Sequence, residues 1–312
     1  MTQTLPKVFI DGEAGTTGLE IRERLALLPS VQVISIATEA RKDPSARRAM
    51  MEEADLVVLC LPDEAAIEAV ALATALGDKA PKIVDASTAH RVADGWVYGF
   101  AELDKSQADA IRNARLVANP GCYPTGGIAL LRPLVDTGLL PRDYPVTINA
   151  VSGYSGGGKS MIESYEVSRA APAFELYGLG LTHKHVPELA RYSGLSRRPI
   201  FVPSVGNFRQ GMLVSVPLHL DALPGKPSLA DLQTTLEAHY RAAELVRVAS
   251  RDEVAELKGR LDALTLNGSD KLEIFVFASD TLHQAVLVAR LDNLGKGAAG
   301  AAVQNIKLML GV

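Results

Sequence analysis

Six consecutive apolar residues, Leu56-Val57-Val58-Leu59-Cys60-Leu61, constrain the fold of this chain more than any other stretch. A strand with one wet face alternates apolar and polar residues. An unbroken run needs cover on both faces, and that cover exists in parallel sheets sandwiched between helices. The flanking sequence fits. Lys7 to Ile10 reads as a strand, Thr17 to Leu28 as a helix with apolar residues at helical spacing, and Val31 to Ala37 as a second strand; after the run come a helical Glu64 to Leu76 and a strand Lys82 to Asp85. This alternation predicts a doubly wound α/β sheet.

From about Asn119 the texture changes. A helix through Leu130 is followed by longer strands at Val146 to Ser152, Met212 to Leu220, Leu272 to Phe277 and Ala285 to Leu291, with a hairpin-length link between Ala278 and Gln284. Such links belong to an antiparallel or mixed sheet. The chain of 312 residues is therefore read as two domains, 1–118 and 119–292, with a helical stretch Gly297 to Leu310 at the end.

Composition removes several classes of function. Lys and Arg number 32 against 36 Asp and Glu, a net charge of −4 that offers no footprint for a nucleic-acid backbone. No stretch approaches the roughly 20 apolar residues of a membrane span. Thr2, Gln3, Thr4 and Pro6 stand where a signal peptide would be apolar, so a cytoplasmic protein with a small-molecule partner is expected. The two cysteines, Cys60 and Cys122, are too few for a disulfide scaffold or a thiolate-built zinc site. Asn267-Gly268-Ser269 reads as a turn.

Between the first strand and first helix lies Asp11-Gly12-Glu13-Ala14-Gly15-Thr16-Thr17-Gly18. Glycines there let backbone approach a pyrophosphate at a helix N-terminus, which points to a dinucleotide, although three glycines in seven residues also suit a flexible turn. Past the second strand, Glu39 suits a ribose hydroxyl, whereas Arg41 and Lys42 suit a 2′-phosphate and favour NADP over NAD; a solvated charged loop is the plain alternative.

Cys60 falls in the apolar run and reads as a small buried hydrophobe. Cys122 sits in Asn119-Pro120-Gly121-Cys122-Tyr123-Pro124-Thr125, a turn into a helix whose N–H groups would favour a thiolate and hold an oxyanion; a turn cysteine that merely packs is the competing reading. Of six histidines, His183 and His185 lie just before a helix begun by Pro187, as a base for Cys122, as two metal ligands with Glu188, or as solvated loop residues. His219 and His239 fall in strand and helix patterns, leaving His90 and His283. Gly153 to Ser160 matches the P-loop spacing literally, but it sits mid-chain, and an anion loop for substrate is the more economical assignment.

These motifs together resemble the N-acetyl-γ-glutamyl-phosphate reductases of the shorter type. The likeness runs through Asn119 to Thr125, Ser152 to Lys159, His183-Lys184-His185-Val186-Pro187-Glu188 and Asp292-Asn293-Leu294-Gly295-Lys296-Gly297-Ala298-Ala299-Gly300, with one departure at Gly99-Phe100-Ala101-Glu102-Leu103, where Gly-Leu-Pro-Glu-Leu is commoner. The resemblance implies a Rossmann NADP domain, completed by the C-terminal helix 293–312, and a catalytic and dimerisation domain of the glyceraldehyde-3-phosphate-dehydrogenase and aspartate-semialdehyde-dehydrogenase type. It implies Cys122 as nucleophile, His183 as acid/base, and Ser155, Gly156, His185 and Glu188 around an acyl-phosphate substrate. It also implies NADP held by Gly12, Gly15, Thr16, Thr17, Gly18, Arg41, Ser87, Asn293 and Gly297, no metal, and a homodimer or homotetramer. Rival readings are an aminoadipyl- or aspartyl-phosphate reductase, a non-catalytic NADP sensor and a zinc hydrolase.

Overall fold

The computed structural model describes residues 5–312; Thr2, Gln3 and Thr4, read above against a signal peptide, lie outside them. The chain divides into two compact units, one made of residues up to Ala101, Lys105–Pro120 and Ala298–Val312, the other of Glu102–Asp104 and Gly121–Gly297. Among the described residues no helix is long and apolar enough to cross a membrane.

The first unit holds six strands, β1 (Lys7–Asp11), β2 (Gln32–Ile34), β3 (Leu56–Leu59), β4 (Lys82–Asp85), β5 (Val97–Tyr98) and β6 (Leu116–Ala118), all parallel, in the order β2-β1-β3-β4-β6-β5. The apolar run behaves as its composition requires. Leu56 and Val58 enter a cluster with Val8, Ile10, Ile21 and Val84, while Val57 and Leu59 enter another with Phe9, Met51, Ala66 and Ile83 on the opposite face. All four strand residues have no exposed surface, so each face of β3 is a core. The strand stops at Leu59, and Cys60, expected inside it, lies just past its end.

Helices α1 (Thr16–Ala26), α2 (Pro44–Glu53), α3 (Asp63–Thr74) and α4 (Gln107–Asn113) make the crossovers. The C-terminal helix, Gly300–Leu310, adds Ala302, Val303, Ile306 and Met309 to the first cluster; a π-helical turn at Gly295–Ala299 precedes it where a plain helix from Gly297 was expected. Because β1 is flanked by β2 on one side and β3 on the other, the connections diverge at its C-terminal end. Ligands settle at such switch points.

The second unit carries seven strands, β7 (Thr147–Gly153), β8 (Phe174–Leu176), β9 (Ile200–Gly206), β10 (Met212–His219), β11 (Val246–Val248), β12 (Leu272–Ser279) and β13 (Gln284–Leu291), in the order β11-β12-β13-β10-β7-β9-β8. The sheet is mixed, and the expected hairpin pairs Ser279 with Gln284. One face carries α5 (Cys122–Asp136). A Cβ on Gly126 would come within 2.7 Å of the Val214 side chain, so glycine lets this helix lie close on β10. The other helices that bear on the site are α6 (Gly158–Glu166), α7 (Val186–Tyr192) and α8 (Leu229–Tyr240).

Candidate active site

The glycine loop closes the first unit's switch point. Gly12 has φ +92°, and a Cβ there would stand 2.3 Å from the Cys60 carbonyl oxygen; a Cβ on Gly18 would stand 2.4 Å from the Gly12 oxygen. Neither position tolerates a side chain. The Gly15 N–H donates to the Gly12 oxygen at 3.0 Å, and Gly15 then caps α1 in extended conformation with no capping side chain. No acidic residue lies in the first turn, which opens with Thr16 and Thr17. Such a helix start attracts an anion.

Around this loop the charges are arranged. Glu13, 5 % exposed, accepts from Arg41 (2.9 Å), Arg22 (3.4 Å) and the Ser35 hydroxyl (2.9 Å), bringing two guanidinium groups together just past β2. Glu39 and Lys42 are exposed nearby. Asp11 accepts two bonds from Arg47, at 3.0 and 2.6 Å, and burial nevertheless pushes its carboxyl up. After β4, Ser87 donates its N–H and hydroxyl to Asp85, which also meets His90 Nδ1 at 2.6 Å, and His90 stacks on Trp96. Burial, then the Asp85 and Asp11 carboxylates, push the Cys60 thiol up to about 12. That thiol is inert at neutral pH.

Cys122 has a different setting in the second unit. It is the first residue of α5, whose cap, Gly121, is extended and bears no side chain, and no acidic residue occupies the first turn. Beneath the turn the Glu188 carboxylate, 1 % exposed, accepts the Gly121 N–H at 3.1 Å. Above it Gly297 lies so close that an added Cβ would be 2.9 Å from Cys122 Cβ. Glycine is required there by contact rather than by torsion.

Next in sequence, Tyr123 meets both histidines edge-on, His183 at 6.2 Å and His185 at 5.9 Å between ring centres. Its hydroxyl donates to the Ser204 carbonyl at 3.0 Å, which fixes Tyr177 as the donor in the 3.2 Å bond between the two phenols. The His185 N–H donates to His183 Nδ1 at 3.1 Å. Since Nδ1 must then hold a lone pair, a neutral His183 carries its proton on Nε2. Burial, and secondarily Lys184, lower the His183 pKa to about 4.

The loop Tyr154–Gly157 after β7 holds Ser155 and Gly156. Asn293 donates to the Ser155 hydroxyl at 2.9 Å and accepts the Gly211 N–H at 2.9 Å, so its amide is spent inside the second unit. Lys159 and Ser160 of the P-loop-like run start α6 as exposed residues. Among the described residues no three His, Cys, Asp or Glu side chains gather as a metal would need, His183, His185 and Glu188 included.

The semialdehyde dehydrogenase NAD-binding domain model matches residues 7–111, and the semialdehyde dehydrogenase dimerisation domain model matches residues 122–293. The N-acetyl-gamma-glutamyl-phosphate reductases of Brucella anthropi and Brucella ovis are each 56% identical over 311 residues, covering 98% of this chain and 99% of theirs. The chain belongs to the N-acetyl-γ-glutamyl-phosphate reductase family. The fold is shared with more distant solved structures. Aspartate semialdehyde dehydrogenase II from Vibrio cholerae, complexed with ASA, aligns over 99% of both chains at TM-score 0.70 and 16% identity, and the Francisella tularensis enzyme over 99% of this chain and all of its own at 0.73 and 12%.

In the second unit Gly297 meets Cys122, Glu188 holds the Gly121 N–H, His183 and His185 pack on Tyr123, and Ser155 is tied to Asn293; in the first, Arg41 meets the glycine loop through Glu13. Glu13, Arg22 and Ser35 were missed, as were Tyr123 and Tyr177. Glu13 carried one usable signal: an acidic residue inside a glycine loop that should welcome an anion calls for cations to balance it.

Proposed function

We propose that the chain reduces N-acetyl-L-glutamyl 5-phosphate to N-acetyl-L-glutamate 5-semialdehyde and phosphate, with NADPH, through a thioester on Cys122. The observation that carries this reading is the uncapped start of α5, with Cys122 as its first residue and the neutral His183 ring edge-on to the next residue, Tyr123. The Cys122 thiolate attacks the acyl carbonyl, N–H groups at the helix start hold the oxyanion, and the C–O bond to phosphate breaks. NADPH, when bound, supplies the hydride that reduces the thioester. The His183 Nε2–H hydrogen-bonds to the carbonyl oxygen as negative charge builds there and keeps its proton, and collapse of that oxyanion with cleavage of the C–S bond frees the aldehyde and regenerates the thiolate.

Ser155, Gly156 and His185 line the substrate pocket in this proposal, and Glu188 acts from beneath through Gly121. The loop of Gly12, Gly15, Thr16, Thr17 and Gly18 is assigned the pyrophosphate, because it leads into a helix start with no capping side chain and no acidic residue in its first turn. The 2′-phosphate falls to Arg41, joined by Arg22 and Ser35, which is the reason to assign NADP rather than NAD; Ser87 completes the cofactor residues of the first unit. The protein works in the cytoplasm, where its two thiols stay reduced.

The second unit's outward sheet face, with Phe174, Leu176 and Val286 at 58%, 51% and 41% exposure, is assigned to a second copy of the chain. The match to a dimerisation domain supports that choice. Val286→Glu should then sediment as a smaller species, and unchanged mass at micromolar concentration would refute it.

Phosphate-dependent oxidation of N-acetylglutamate semialdehyde, run beside aspartate semialdehyde with NADP and NAD, tests the function. Turnover should favour the acetylated substrate about 100-fold or more; equal turnover sinks the substrate assignment. Cys122→Ser should lose roughly four orders of magnitude in kcat while still binding NADPH. Retained turnover would rule out the thioester.

A further inference from the structure

The segment from Asp292 to Gly297 buries three polar side chains almost completely: Asp292 at 0%, Asn293 at 1% and Lys296 at 1% exposure. Two of them hold nearby backbone. Asp292 accepts the Leu294 and Gly268 N–H groups and the Gln210 amide, at 2.9, 2.7 and 2.7 Å, and Asn293 ties Gly211 to Ser155. Lys296 does something else. Its ammonium donates to both oxygens of Glu102, at 2.8 and 2.7 Å, and Glu102 is itself only 7% exposed at the side chain.

A lysine and a glutamate taken out of water together gain little over apolar residues of the same volume, so stability alone is a poor reason to bury them. Their place suggests another. Lys296 lies in the π-helical turn Gly295–Ala299, between two glycines in tight contact. A Cβ on Gly295 would stand 2.0 Å from the Ser269 carbonyl oxygen, and one on Gly297 would press on Cys122. Wide turns of this type are local defects of helix geometry, found mostly where function requires them. Something must hold the turn in register, and the ion pair spans 194 residues to do so.

We propose that Lys296 and Glu102 are a positioning pair that fixes the π-helical turn so that the Gly297 backbone backs Cys122 and holds its sulfur in the reactive direction. This rests on the reading of Cys122 as nucleophile. The pair touches neither substrate nor cofactor in this role; it acts through Gly297.

Steady-state kinetics and thermal unfolding of the full-length protein test it. Lys296→Met takes the ammonium away from the buried Glu102 carboxylate and lowers both kcat and Tm. The double variant Lys296→Met/Glu102→Leu removes the buried carboxylate as well, so Tm recovers, while kcat stays about tenfold or more below the parent and the substrate KM stays within about threefold. If kcat returns together with Tm, the pair is merely structural and the proposal falls. A raised KM at unchanged kcat overturns it as well. Should the double variant fail to fold, Glu102→Asp carries the same test, because it keeps the charge and withdraws the carboxylate by one methylene; unchanged kcat would refute the pair's role. Cys122→Ser separates the two readings. Activity in that variant removes the nucleophile, whereas an inactive Cys122→Ser beside a fully active Glu102→Asp removes only the positioning pair.

Discussion

Two helices in this protein begin alike and are enclosed differently. Both α1 and α5 are capped by an extended glycine, Gly15 (φ −78°, ψ 164°) and Gly121 (φ −75°, ψ 152°), and neither has a capping side chain or an acidic residue in its first turn. Each offers N–H groups and a partial positive charge. Around α1 the cap is exposed and two arginines gather on Glu13, so the start of the helix suits an external polyanion. At α5 the turn is enclosed by Glu188 and Gly297, and its first residue is the half-buried Cys122. In the proposed function the same backbone device would serve a ligand where it is open and a side chain of the protein where it is closed. Enclosure, more than the helix start itself, decides which.

The widest separation between the two should come from adding one methyl group at the open end. Gly18→Ala places a Cβ where 2.4 Å separates it from the Gly12 oxygen, so the loop must move. We expect NADPH affinity, measured by calorimetry, to fall about 100-fold, since the loss removes most of the backbone contact to the pyrophosphate. The alkylation rate of Cys122 should not change, because its helix start lies in the other unit. An unaltered cofactor Kd would break the comparison at its root.

A smaller effect is expected from the cations. Arg41→Ala removes one charge-assisted contact and should shift the ratio of kcat/KM for NADPH over NADH about tenfold toward NADH. Arg22 remains on Glu13, at the longer distance of 3.4 Å, so preference is reduced rather than inverted. No change in the ratio would move the 2′-phosphate away from this cluster.

What sequence could and could not disclose follows from the range of the forces involved. The apolar run at Leu56 and the glycines at 12 and 18 are local patterns with local consequences: the first four residues of the run form a strand buried on both faces, and the loop packs too closely for a side chain at either glycine. Helix α2 was legible but overlooked: Asp43 accepts the Ser45 N–H as a cap and Pro44 occupies the first turn, yet only Met51 is buried, so no apolar stripe advertises the helix. Lys296 and Glu102 left no such trace, because their partnership exists only once the second unit has folded. The phenols of Tyr123 and Tyr177, 54 residues apart, are silent for the same reason. His183 was legible as a candidate, but its protonation was not. That depends on burial and on the His185 N–H, neither of which has a sequence signature.

His183 yields the finest prediction, an effect that should be absent. Its pKa of about 4 lies below the unfolded value of about 6.5, so the folded protein favours the neutral ring. Above pH 6.5 the ring is neutral in both states and its contribution to stability is fully present. As pH falls from about 6.5 toward 4 the unfolded chain takes up the proton first, and that contribution is lost; below 4 it changes no further. Activity should respond differently from stability. Across pH 5.5–8 the folded ring keeps its proton on Nε2 and stays uncharged, so no acid limb of kcat in that range belongs to His183. His183→Asn should lower kcat about 100-fold without altering the shape of the profile. NMR of the His183 ring carbons should show no titration between pH 5.5 and 8, and a midpoint near 6.5 would mean that the ring works as an imidazolium acid after all.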